Sequence, residues 1–255
     1  MKSRAFLFLL LVALPLASQT EPVTQSIDKT SLAGASLENR FNSSANQPQN
    51  YSDGAVVSVS ELSIPARARQ EFDKANLALQ KQDFAQARHR FGKAISIYPA
   101  FAGAYNNLAV AYARLGDHEC EREALQKAIE LNDHFELAYV NWARLEIAST
   151  HFANAESALS RAAALDENDS TAAILLAYTQ MMEGHLEAAI ASSQKAHSIG
   201  KAHAFTHRIA AYAFVQLHQP DHAANELQLA VEEDPNGFHG TAARNELEQL
   251  RATGH

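Results

Sequence analysis

From residue 68 onward, apolar and small residues recur in two blocks of helical length, separated by short polar turns, and the pattern returns every 34 residues. One register divides the stretch without gaps into units 68–101, 102–135, 136–169, 170–203 and 204–237. Position 8 of the unit is Ala75, Ala109, Ala143, Ala177 and Ala211. Position 27 is Ala94, Ala128, Ala162, Ala196 and Ala230. Position 20 is Ala87, Ala155, Ala189 and Ala223, with Glu121 as the exception. A fixed period with two amphipathic blocks predicts two antiparallel helices per unit, A and B, stacked unit on unit. Small residues belong where helix backbones approach closely, and a larger side chain there would overpack by about 1–3 kcal/mol. Position 24 carries the bulk instead, as Phe91, Leu125, Leu159 and Leu227, but it is Ser193 in the fourth unit. Gln82-Asp83, Gly116-Asp117, Gly184-His185 and Pro220-Asp221 supply turn chemistry between the helices. Pro99 and Pro235 stand at position 32, where helix B ends. Residues 238–251 are amphipathic and predict a C-terminal capping helix, followed by a short tail to residue 255.

The chain ahead of the repeats reads differently. Lys2 and Arg4 precede a continuous apolar run over residues 5–14, which Pro15 breaks. This pattern predicts a signal peptide over residues 1–18 and a periplasmic or secreted protein. The alternative is a chain anchored by an uncleaved N-terminal segment, although the run falls short of the ~20 residues that span a bilayer. Residues 19–63 are rich in Ser, Asn, Gln and Thr and predict a flexible linker, with a short extended segment at 55–59. Pro65, with Ser63 nearby, marks the start of the first helix.

Charge and composition narrow the function. Hydrophobic residues make up 47% of the 255-residue chain, enough for a core, and the formal net charge is -8 without a basic block, which argues against nucleic acid. Cys120 is the single cysteine, so no internal disulfide forms, and Glu119 and Glu121 beside it disfavour a reactive thiolate. No nucleophile elbow, phosphate-cradling glycine loop or H-E-x-x-H motif is present, and neither an enzyme nor a cofactor is expected. Among twelve histidines, His203/His207 and His218/His222 have i,i+4 spacing, but no acidic or cysteine partner sits at a fixed offset, and no metal site is expected.

The second unit, with Tyr105, Leu108, Ala109, Tyr112, Gly116, Asp117, Leu125, Ala128 and Leu131, resembles the tetratricopeptide repeat family, as do Ala230 and Pro235 in the fifth. Glu121, Ser193 and Lys201 depart from the family pattern. The resemblance implies an all-α, right-handed superhelical solenoid of five helix-turn-helix units with a capping helix. It also implies a concave groove lined by positions 2, 5, 6, 9, 12 and 13 of helix A. Asn76, Asn107, Arg114, Asn141 and Arg144 would then form a polar N-terminal half of the groove. Tyr178, Met181, Met182, Phe205 and Tyr212, with Arg208, would form an aromatic and Met-rich C-terminal half. Asn107 and Asn141, one unit apart, would offer donors and acceptors to an extended peptide backbone, and Tyr, Met and Arg are enriched in interface cores. The expected function is a non-enzymatic scaffold that binds a peptide or partner segment. The alternative is a metal- or small-ligand-binding accessory protein of an envelope enzyme system. A clamp for a C-terminal carboxylate, known in one family subtype, is not expected: Phe72, Leu137 and Asn141 stand where that subtype has basic residues.

Overall fold

The computed structural model describes residues 63–200 and 204–253. The expected signal peptide, all of the expected linker except Ser63, and Lys201 and His203 lie outside the described residues. The described chain is all-helical, with eleven helices in hairpin order. These are α1 (Ala66–Gln80), α2 (Phe84–Ile97), α3 (Ala102–Leu115), α4 (His118–Leu131), α5 (Glu136–Ala148), α6 (Phe152–Leu165), α7 (Ser170–Glu183), α8 (Leu186–Ile199), α9 (Ala204–Gln216), α10 (Pro220–Glu233) and α11 (Phe238–Thr253). Each odd-numbered helix up to α9 packs against the even-numbered helix that follows, each pair packs on the next, and α11 closes the stack on α10 and α9. None of the described helices is long and apolar enough to cross a membrane.

The alanine columns explain this spacing. Every alanine at positions 8, 20 and 27 is at most 1% exposed. The position-24 side chains Phe91, Leu125, Leu159 and Leu227 are fully enclosed beside them. Close approach at the alanines and large side chains one turn away let the helices interdigitate at the density of a protein interior. The core forms two clusters, one through α1–α5 and one from α5 to α11, and Trp142 on α5 packs against both.

Turns follow one geometry. Position 15 adopts positive φ in all five units: Gln82 (59°), Gly116 (75°), Thr150 (60°), Gly184 (84°) and His218 (57°). This left-handed residue ends helix A and reverses the chain. Asp83 and Asp117 then cap the following helix, accepting from the Gln86 and Cys120 backbone N–H groups at 3.0 and 3.2 Å. The fifth turn differs from expectation. Its turn residues are His218 and Gln219, and Pro220 is the first residue of α10, where a missing N–H costs no hydrogen bond. His218 sits in the left-handed turn, so its i,i+4 spacing to His222 does not place the two on one helical face.

Candidate binding groove

In the first half of the array the A helices bring four asparagines into one chain of amides. Asn107 Nδ2 donates to Asn76 Oδ1 at 2.8 Å, and Asn106 Nδ2 donates to Asn107 Oδ1 at 3.0 Å. Asn141 Nδ2 donates to Asn106 Oδ1 at 2.9 Å, and the Arg144 guanidinium donates to Asn141 Oδ1 at 3.3 Å. The chain thus runs from α1 across α3 to α5 with every amide pointing the same way. Each link uses one donor and one acceptor, so much of the hydrogen-bonding capacity expected to face a ligand is turned inward. Asn76, Asn106 and Asn107 are buried, whereas Asn141 and Arg144 are half-buried at the open end.

That end opens into a polar cleft of about 310 Å³ lined by Asn106, Asn107, Asn141, Arg144, Glu136 and Asp169, among others. Asp169 caps α7, accepting from the Thr171 and Ala172 N–H groups at 2.8 and 3.1 Å. Burial first, and then the Asp169 carboxyl beside it, push Glu136 up to about 9. Glu136 is therefore a neutral carboxylic acid near pH 7, hydrogen-bonded to the Asp169 carboxyl and half-buried at the cleft wall. Burial lowers Arg144 to about 10, and it stays cationic. The cleft thus combines a carboxylic acid, a carboxylate and a guanidinium within a wall of amides.

A smaller cleft of about 200 Å³ adjoins it, lined by Arg114, Arg144, Asn141, His118 and Glu121. Arg114 is half-buried over the Phe84 ring, 5.8 Å from its centroid. Glu121, the exception in the alanine column, faces His118 Nδ1 at 2.9 Å.

Three comparisons bear on what this architecture is. A family model described as tetratricopeptide repeat matches residues 72–134. A crystal structure of MamA protein superposes with a TM-score of 0.60 at 21% identity, covering 66% of this chain and 92% of that one. YrrB, described as a TPR protein with an unusual peptide-binding site, superposes at 0.61 with 16% identity, covering 82% and 97%. MamA from Desulfovibrio magneticus RS-1 gives 0.61 at 17% identity, covering 68% and 98%. No curated protein matches the sequence. Residues 72–134 thus match the tetratricopeptide repeat family, and the chain shares the fold of these repeat proteins.

Within this repeat array the second half of the expected groove is corrected. Met181, Phe205 and Arg208 are fully buried, and Tyr178 and Tyr212 are 3% and 8% exposed. They do not form an open aromatic surface. Phe205 at position 2 of α9 reaches back to Tyr178 at position 9 of α7, with ring centroids 6.2 Å apart, and forward to His239 of α11 at 5.2 Å. Large side chains at these positions fill the space between successive A helices, where the first half uses bonded asparagines and leaves only Asn141 and Arg144 half-buried. Met182 is half-buried and packs against the same cluster. Arg208 is committed to the capping helix: its Nε donates to Glu246 Oε2 at 3.1 Å, its Nη2 pairs with Glu246 Oε1, and its Nη1 lies 3.1 Å from His239 Nδ1.

Sequence reasoning passed over Asn106, Glu136 and Asp169. Their signal lay in the repeat columns. Position 1 is Ala68, Ala102, Glu136, Ser170 and Ala204, and position 34 is Phe101, Phe135, Asp169, His203 and Gly237. The two acids replace a small and an aromatic residue in the same unit, and together they build the cleft's acidic wall. Cys120 is half-buried. Its thiol is raised first by a hydrogen bond to Asp117, then by burial and the surrounding acids, so it is not a poised nucleophile.

Proposed function

We propose that this protein is a non-enzymatic scaffold that binds an extended partner segment at the polar cleft between α3, α5 and α7. The observation that carries the reading is the polar cleft at the end of a directional amide chain, lined by the Glu136–Asp169 carboxyl pair and Arg144. A segment with a lysine or arginine side chain would place its charge beside the Glu136–Asp169 carboxyl pair, while Asn141 takes main-chain groups. YrrB, with its peptide-binding site on the same fold, supports the peptide class of ligand. Residues 1–18 extend the proposal to export into the periplasm or outside the cell, because Lys2 and Arg4 precede the apolar run. N-terminal sequencing of the protein from its native host tests export; retention of residue 1 would refute cleavage.

The binding reading is tested by selecting a displayed random-peptide library on the purified protein. Enriched peptides should share a basic residue and lose about tenfold or more in affinity to Glu136→Ala and Asn141→Ala, the loss expected on removing one charge-assisted hydrogen bond. Equal binding by both variants would defeat the assignment.

A further inference from the structure

At the junction of the fourth and fifth repeats, three departures from the repeat pattern meet His207 in space. Position 28 is Ile95, Ile129, Ala163 and Val231 in the other units but His197 in the fourth. Position 30 is Ile97, Leu131, Leu165 and Ile199 but Glu233 in the fifth. Position 24 is Phe or Leu elsewhere but Ser193 here, and position 4 of the fifth unit is His207. Helices α8, α9 and α10 bring these residues together, and one ligand atom from each of His197, His207 and Glu233 lies within 4.8 Å of the others.

We infer that His197, His207 and Glu233 form a binding site for a divalent transition-metal ion of the zinc class. Two imidazoles and one carboxylate are a donor set that suits zinc and its neighbours rather than calcium or magnesium. His207 Nε2 and Glu233 Oε1 are 3.3 Å apart. Bonds of ~2.0–2.1 Å in tetrahedral geometry place two ligand atoms about 3.3 Å apart. Glu226 Oε2 holds the other ring nitrogen, Nδ1, at 2.6 Å. That contact turns Nε2 toward the site, as outer carboxylates do for metal-bound histidines. The His197 and His207 rings lie 5.2 Å apart in an edge-to-face arrangement.

The site also has room and a way in. Ser193, where a leucine or phenylalanine fills the other units, leaves a cleft of about 180 Å³ lined by His197, His207 and Glu226. The Ser193 hydroxyl is buried in that wall without a hydrogen-bond partner, so the cleft offers an unused polar group to an ion's water. His197 and Glu233 are exposed, which gives an ion an entry path, and His207 is buried, which holds the site in register. Three protein ligands leave one position for water, so the site is open rather than sealed.

The test is calorimetric titration of the full-length, chelator-stripped protein with zinc chloride, with magnesium chloride as the control. One zinc ion per chain should bind saturably and raise the melting temperature. His197→Ala and Glu233→Gln change exposed residues, and each should weaken zinc at least tenfold while the metal-free melting temperature stays near that of the parent. Cobalt(II) should report the same site by visible absorption of a four-coordinate ion, lost in His197→Ala. Zinc binding unchanged in both variants would assign the ion to other histidines and overturn the inference. Absence of binding in the parent would overturn it too, leaving His207 as a proton clamp between Glu226 and Glu233.

Discussion

Three residues stand in the left-handed turn at position 15 without being glycine. Gln82, Thr150 and His218 adopt φ of 59°, 60° and 57° where Gly116 and Gly184 stand in the other units. Thr150 is the most strained, since branching at Cβ crowds that backbone region. Its side chain is exposed, so a replacement loses no packing. Thr150→Gly should therefore stabilise the protein by about 0.5–1 kcal/mol, the strain relieved less the added chain entropy of glycine, read as a higher denaturation midpoint. Glu136 makes the second prediction at this scale. Its folded pKa of about 9 exceeds the ordinary 4.5, so the folded state holds a proton that the unfolded chain releases. Its contribution is undiminished below pH 4.5 and is lost as pH rises toward 9. Glu136→Gln keeps the neutral shape and removes that loss. Melting curves should show the variant gaining on the parent between pH 5 and pH 9, with the two converging near pH 4.

At the scale of the element, one buried ion pair, Arg208 with Glu246, ties the capping helix to α9. Arg208 is completely buried, and Glu246 is 6% exposed. Removing one partner strands the other charge in the interior, which costs about 3–5 kcal/mol. Arg208→Ala should therefore loosen α11, seen as loss of amide protection across Phe238–Thr253 in hydrogen exchange. The double variant Arg208→Met with Glu246→Leu should restore most of that protection, because a well-packed apolar pair avoids the desolvation cost. The alanine columns predict the opposite kind of fault. Ala128→Leu forces methylenes into a contact with no room, and its expected cost is about 1–3 kcal/mol in chemical denaturation. That column was legible in the sequence because identical packing recurs in every unit. The Arg208–Glu246 pair was not, because its two members sit on different elements with no shared period. Family positions placed Arg208 in the groove, and only the docked α11 shows it enclosed.

Across the whole molecule, the array is a chain of nearest-neighbour contacts with one seam. Trp142 on α5 packs against both core clusters and joins the first half to the second. The halves differ in kind. The first links its A helices through asparagine amides, and the second packs them with Tyr178, Phe205 and Tyr212. Of the polar half, Asn141 and Arg144 stay half-buried at the cleft, and a partner should engage α3, α5 and α7 there rather than α9. α11 covers the end of the stack with Ala243, Leu247 and Leu250. A chain ending at residue 237 exposes the apolar face beneath, and it should self-associate in light scattering where the full chain does not show that concentration dependence.

The sequence by itself determined the register, the helix pairs and the capping helix. Alanines every 34 residues and turn residues between them restrict the backbone locally, and each unit repeats the same restriction. Only the tertiary structure decided which side chains remain available. Exposure of a helix-A residue depends on the size of the side chain that the neighbouring helix sets against it, and a column read one residue at a time does not contain that. Glu136 meets Asp169 only when the two ends of the third unit close on each other, and His197 meets His207 and Glu233 only when the fourth and fifth units stack. The physical reason is that a period specifies like residues in like places, whereas these sites arise where unlike residues interrupt the period and the superhelix brings the interruptions together.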